Sequence, residues 1–185
     1  VAVVAAGFLF ERWISGHSVL HLAEAMDPVS ASLVTFLVSS LVAYWYHRAV
    51  HRSDRLWRWV HQLHHSPTRI ESLTAFYIHP FDGLLAVLLN AAVAYVLLGV
   101  SGVSAGLALI YVTLFNLLAH ADLRSPWWLG FFVQRPEMHR IHHQRGVHAN
   151  NYGLPLWDLV FGTWRNPRSG QVDCGFRDDK ERLIG

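Results

Sequence analysis

Three stretches of the chain run without a charged side chain: 29–46, 83–100 and 103–119. The first is eighteen residues long, about 27 Å as an α-helix. Crossing the hydrocarbon takes about 20 apolar residues, with a lower range near 17, so 29–46 predicts a spanning helix. The other two are parted only by Ser101 and Gly102 and predict the arms of a tight helical hairpin. Buried helices of a soluble bundle would keep a polar face, whereas 84–98 offers only Asn90 and Tyr95. A re-entrant hairpin that does not fully cross also satisfies the pattern. Residues 1–10 are apolar without an initiator Met. They lack the basic region of a signal peptide and read as the end of a truncated transmembrane helix.

Composition narrows the class. The chain has 185 residues, 52% of them apolar and 15% charged, which excludes disorder. A single cysteine, Cys174, excludes a disulfide scaffold. Fifteen Lys and Arg against thirteen Asp and Glu leave a net charge of +2, so charge gives no support for a nucleic-acid partner. The arginines are unevenly placed. Arg48, Arg52, Arg55, Arg58 and Arg69 follow the first apolar run, and Arg124, Arg135, Arg140, Arg145, Arg165 and Arg168 follow the hairpin. The hairpin tip at 99–102 carries no charge, so the positive-inside rule places both arginine-rich segments on the cytoplasmic side.

That topology gathers the histidines. Eleven of thirteen lie between His47 and His148. His47 and His51 form H-x3-H at the end of the first run, and His61, His64 and His65 form H-x2-H-H. A second H-x2-H-H is made by His139, His142 and His143, and His120 ends the hairpin's return arm. Positions i, i+3 and i+4 share a helix face, so each cluster is expected to aim its rings in one direction. Imidazole is the commonest metal ligand. Nine histidines in these motifs exceed what one six-coordinate ion can use, so at least two metals are implied. Structural zinc prefers a closed set of four ligands, usually with cysteine; nine nitrogens for two ions favour iron. A di-zinc scaffold stays open as a non-enzymatic alternative. A metal carrier would carry its ligands inside the apolar runs, which hold no histidine.

The remaining histidines divide. His17 and His21 fall on the opposite side and read as interfacial. His79 stands evenly between ligand and supporting residue, and His148 between support and solvent. No Glu-x-x-His pair occurs, unlike the mixed carboxylate–histidine sites of soluble di-iron bundles. Serine-triad order, a glycine-rich phosphate loop and CxxC are also missing, so hydrolysis, nucleotide binding and thiol redox have no support.

His47-Arg48-Ala49-Val50-His51, His61-Gln62-Leu63-His64-His65 and His139-Arg140-Ile141-His142-His143 resemble the three histidine boxes of the fatty acid hydroxylase/sterol desaturase superfamily. Asn151-Tyr152-Gly153, Leu156-Trp157-Asp158 and Phe161-Gly162-Thr163 are similar to the segment after that family's last box. The match covers residues 47–166. The resemblance implies an integral-membrane enzyme with two non-haem irons that uses O2 to hydroxylate or desaturate a lipid. Its iron ligands would be His47, His51, His61, His64, His65, His139, His142 and His143. His120 resembles the family's extra histidine, and Asn116 stands where some members have another, as a weak ligand or a water holder.

Metal-bound histidines usually donate their second N–H to an acceptor. Asp122, Glu137 and Asp158 are candidate carboxylates for this, with Asp158 the first choice for a catalytic supporting role. The tryptophans flanking the runs suit interfacial belts. No flavin, haem or iron–sulfur motif is present, so the two electrons for O2 require an external donor such as a ferredoxin or a cytochrome b5-like protein. The chain therefore reads as an all-α integral membrane protein with three or four membrane-embedded helices and a cytoplasmic histidine-rich helical cap. Residues 1–166 would form one catalytic domain, its lipid substrate entering from the bilayer, and 167–185 a polar tail.

Overall fold

The computed structural model describes residues 17–176, so the apolar segment 1–10 lies outside the described residues. The fold is helical, and among the described residues the only β pairing is an isolated bridge between Gln144 and Cys174. Among the described residues, three helices are long and apolar enough to cross a membrane: Pro28–Arg52, Pro80–Leu97 and Gly102–Ala119.

Helix α1, Pro28–Arg52, starts where the sequence supplies a cap. Asp27 accepts from the N–H groups of Val29 and Ser30 at 3.0 and 3.1 Å, and Pro28 occupies the first turn, where an N–H would have no partner. Helix α2, Pro80–Ala91, continues as a π-helical turn over Ala92–Leu97. Helix α3 is Gly102–Ala119. Three of their polar side chains bond within the helix: Thr35 donates to the Ala31 carbonyl, Asn90 to Ala86 and Thr113 to Leu109, at 2.7–2.8 Å. Polar side chains are tolerated in a lipid-facing helix on that condition.

The described residues fall into two compact units, 17–42 with 84–113, and 43–83 with 114–176. In the first, Ala31, Val93, Ala94, Leu98 and Val100 form a buried cluster. The last carbonyls of the π-turn, which no helical N–H can reach, are capped by an incoming strand of chain. Val19, Leu20, Leu22 and Ala23 donate to Val96, Leu97, Leu98 and Gly99 at 2.8–3.1 Å. Gly99 has φ +60 and sits against Ser18, so neither a left-handed L-residue nor a Cβ fits there. Leu33, Leu37, Leu84, Leu88, Val103 and Ile110 are exposed, as side chains facing lipid would be.

The second unit carries two short helices, α4 (Pro136–His142) and α5 (Pro155–Val160). Arg135, 1% exposed, fixes the start of α4. Its guanidinium donates to Ser125, to the Asn166 side chain at 2.6 Å and to the Pro167 carbonyl, and pairs with Glu137 at 3.1 Å. A buried arginine costs several kcal/mol to desolvate unless paired and bonded in this way. Glu137, one of the candidate supporting carboxylates, is thus committed to Arg135 and Ser125.

Candidate metal centre

Nine histidines converge in the second unit as two groups, His47, His51, His61, His65 and His142, and His64, His120, His139 and His143. In each group the nearest nitrogens all lie within 4.8 Å of one another. His65, His142 and His143 are fully buried. Both boxes of the form H-x2-H-H are split between the groups. His61 and His65 go to the first group and His64 to the second, whereas His139 and His143 go to the second and His142 to the first. The expectation that each cluster aims its rings one way is therefore corrected. The i, i+4 pair shares a face, and the i+3 ring turns toward the other centre.

The two boxes split alike on different backbones, and His139–His143 lies on and just after the α-helix α4. Trp57–His61 is a π-helical turn, closed by Gln62 N–H on the Trp57 carbonyl at 2.8 Å; His64 and His65 then follow in tight turns, donating to His61 and Gln62 at 3.0 and 3.1 Å. Such π-turns are rare and concentrate at functional sites.

The outward-facing nitrogens are held by acceptors. His47 Nδ1 donates to the Tyr152 carbonyl at 2.7 Å, His142 Nδ1 to the Asn150 carbonyl at 2.7 Å and His61 Nδ1 to Asp82 at 2.8 Å. In the second group His64 Nδ1 donates to Tyr77 at 3.3 Å and His120 Nδ1 to Asn116 at 2.8 Å, both main-chain carbonyls. Burial pushes His64 and His142 well below the usual histidine range, and His120 down to about 4. A neutral ring that donates through Nδ1 carries a bare lone pair at Nε2.

Those lone pairs face each other. His47 Nε2 lies 3.0 Å from His61 Nε2 and 3.1 Å from His142 Nε2, and His120 Nε2 lies 3.2 Å from His64 Nε2. Acceptors turned on acceptors repel, and a cation among them reverses the sign. The Nε2 of His65 is buried with no hydrogen-bond partner, as a ligand atom would be. The residues present fit metal ions with nitrogen ligands.

Asp82 is the supporting carboxylate that the sequence reading missed. It sits 6% exposed in the first turn of α2, where the helix dipole favours an anion, and also accepts from the Tyr46 hydroxyl at 2.7 Å. Its signal in the sequence was an acid at the head of an otherwise uncharged apolar run. Asp158 is placed differently from the expectation that it orients an imidazole directly. It accepts from the N–H groups of Tyr152 and Gly153 at 2.9 and 3.2 Å and from Thr163 Oγ1 at 2.6 Å, so it braces the turn whose carbonyl holds His47. Burial raises its carboxyl to about 6. Asn150 and Asn151 take left-handed backbone, φ 67 and 48, a conformation asparagine tolerates better than most residues.

Asp122 pairs instead with Arg140 at 2.7 Å. Asn116 contributes its main-chain carbonyl to His120, and His148 contacts His65, Nδ1 to Nδ1, at 3.1 Å. His79 joins neither group; it accepts from Phe81 N–H at 3.2 Å and stacks on that ring. His17 and His21 also lie outside both groups.

The fatty acid hydroxylase family pattern matches residues 32–163. The chain belongs to the fatty acid hydroxylase family. Ornithine lipid hydroxylase OlsE of Rhizobium tropici is 33% identical over 171 residues, 88% of this chain and 50% of that protein. Sphingolipid C4-hydroxylase sur2 of Schizosaccharomyces pombe is 29% identical over 147 residues, 77% of this chain and 50% of that protein. Very-long-chain aldehyde decarbonylase GL1-9 of Oryza sativa subsp. indica is 28% identical over 145 residues, 74% and 56%. The chain thus spans about half the length of these curated relatives. No solved structure matches it. The family and the apolar helices make it a membrane protein.

Proposed function

We propose that this chain oxidises a lipid C–H bond with O2 at a non-haem di-iron centre, by hydroxylation or desaturation. His47, His51, His61, His65 and His142 would hold one iron, and His64, His120, His139 and His143 the other. The observation that carries the reading is the convergence of bare, buried Nε2 atoms whose opposite nitrogens are tied to acceptors. When bound, the irons supply the reduction of O2 and the oxidising power that an unactivated C–H bond demands.

The protein's own contribution is positioning and dryness. Tyr152, Asn150 and Asp82 hold three rings in one tautomer, and Asp158 fixes the Tyr152 turn as a positioning residue. Burial of His65, His142 and His143 excludes water from the ring cluster. A five-histidine group exceeds the closed tetrahedron of structural zinc. The four-histidine group would suit zinc by number, which keeps a structural di-zinc protein as the second reading.

The relatives' names include sphingolipid and ornithine lipid hydroxylases, which supports a lipid substrate reaching the site from the bilayer. The arginines flanking the spans support a cytoplasmic site, where a ferredoxin or cytochrome b5-like donor would dock. The test is turnover: iron-loaded protein in liposomes, with a reduced donor, a lipid extract and 18O2. Label in a lipid hydroxyl, or O2-dependent loss of two hydrogens from an acyl chain, is expected. Lipids unchanged with every donor, while two zincs stay bound, would favour the structural reading.

A further inference from the structure

The segment that leads into α2 is uncharged from Ser72 to Phe81, bounded by Glu71 on one side and Asp82 on the other. Its first half is a 3-10 helix, Ser72–Phe76. With three residues per turn, Leu73 and Phe76 lie one above the other on a single face. That face is bare: Leu73 is 72% exposed and Phe76 59%. Tyr77 and Phe81 extend the exposed apolar surface. Thr74 occupies the opposite face, buried, and its hydroxyl accepts from the Glu71 N–H at 3.1 Å in a reciprocal capping box. A short helix capped this firmly, yet presenting leucine and phenylalanine outward, is built to hold those side chains against something apolar.

The chain itself says what that is. Phe81 lies in the first turn of a helix long and apolar enough to cross the membrane, Pro80–Leu97. The 3-10 helix ends four residues before that span begins, so it stands at the level of the membrane surface. Its other end of business is the metal centre: Tyr77, its C-terminal cap, accepts from His64 Nδ1 through its carbonyl, and Asp82 accepts from His61.

We propose that residues 72–81 form an in-plane platform seated in the headgroup–acyl boundary of the bilayer, its Leu73–Phe76 face against lipid. These ten residues meet lipid on one side and hold His64 on the other through Tyr77, and the next residue, Asp82, holds His61 of the other group. A lipid chain resting on this platform is one residue from the carbonyl that orients His64. The inference rests on the membrane reading and is tested separately from it.

Single cysteines at Leu73, Phe76, Ile110 (exposed on α3) and Gln171 (an exposed polar position) are labelled with an environment-sensitive fluorophore. Cys174 is buried, so the unaltered chain provides the labelling blank, and Cys174→Ala removes any residue. The protein is reconstituted in phosphatidylcholine–phosphatidylglycerol vesicles carrying 5-doxyl or 12-doxyl lipid, with iodide as the aqueous quencher. Probes at 73 and 76 are expected to be quenched most by 5-doxyl lipid, at the ~5–10 Å depth of an interfacial helix, and little by iodide. If both behave like the Gln171 probe while Ile110 is quenched by lipid, the platform is overturned and the spans stand. If Ile110 is also reached by iodide and not by lipid, the membrane reading of α3 fails and takes the platform with it. Leu73 and Phe76 are exposed, so neither substitution removes core packing.

Discussion

The two histidine groups are supported unequally. In the first, three rings donate outward to Tyr152, Asn150 and the Asp82 carboxylate, a fourth contacts His148, and only His51 has a buried Nδ1 without a hydrogen-bond partner. The second rests on two main-chain carbonyls, those of Tyr77 and Asn116, while the Nδ1 atoms of His139 and His143 are buried without a hydrogen-bond partner. A carboxylate behind a ligating histidine raises its basicity and fixes its ring. A buried N–H without an acceptor costs the full desolvation of that group. Ligand identity is thus the same in both groups, and what differs is the shell that holds the protons. On the proposed di-iron reading, the first would be the tighter position and the second the looser one.

Removing a ligand should break this comparison most severely. His64→Ala is expected to abolish turnover and halve bound metal, leaving the first group loaded, as elemental analysis of purified protein would show. Asp82→Asn comes next. It keeps nine histidines but replaces the anion, so metal affinity at the first group should fall by about 10- to 100-fold, measured by chelator competition, with the second group little changed. Equal weakening of both positions would contradict this asymmetry.

Acid probes the same shell in the metal-free protein. Burial holds His120 at about 4 against its ordinary 6.5, so the unfolded chain binds the proton first. Stability from this group is complete above pH 6.5 and is lost as pH falls toward 4, by about 3 kcal/mol. His64, His65, His139, His142 and His143 are lowered too and act in the same direction. Asp158 opposes them. Its carboxyl is raised from 3.8 to about 6, so the fold favours the protonated acid, and its contribution to stability falls as pH rises from about 4 to about 6. Melting temperatures at pH 4.5 and 7 should therefore differ more in Asp158→Asn than in the unaltered chain. The smallest effect belongs to His17→Ala, which lies in neither group and should leave metal content and melting unchanged.

What the sequence made legible follows the same division. The histidine groups could be read because imidazole is a side chain, and its type and spacing are written in order. The apolar helices could be read because hydrocarbon demands length and lack of charge. The supporting shell could not, since Tyr152, Asn150, Tyr77 and Asn116 act through carbonyls that every residue possesses. Asp82 is seventeen residues from His65, and only folding brings it within 2.8 Å of His61. Asp158 follows the last box in sequence, yet it acts on His47 of the first, through the Tyr152 turn. The splitting of each H-x2-H-H motif was hidden for another reason: i, i+3 and i+4 share a broad helix face, but at 3.6 residues per turn i+3 and i+4 point about 100° apart on either side of i, and two neighbouring groups can divide them.

The most direct test of two unlike nitrogen-ligated positions is Mössbauer spectroscopy of the detergent-purified chain loaded anaerobically with 57Fe(II), beside its iron content. Two irons per chain in two distinguishable ferrous environments, filling in sequence as iron is added and both altered by O2, is the predicted result. A chain that rejects iron and keeps two redox-silent zincs would contradict it.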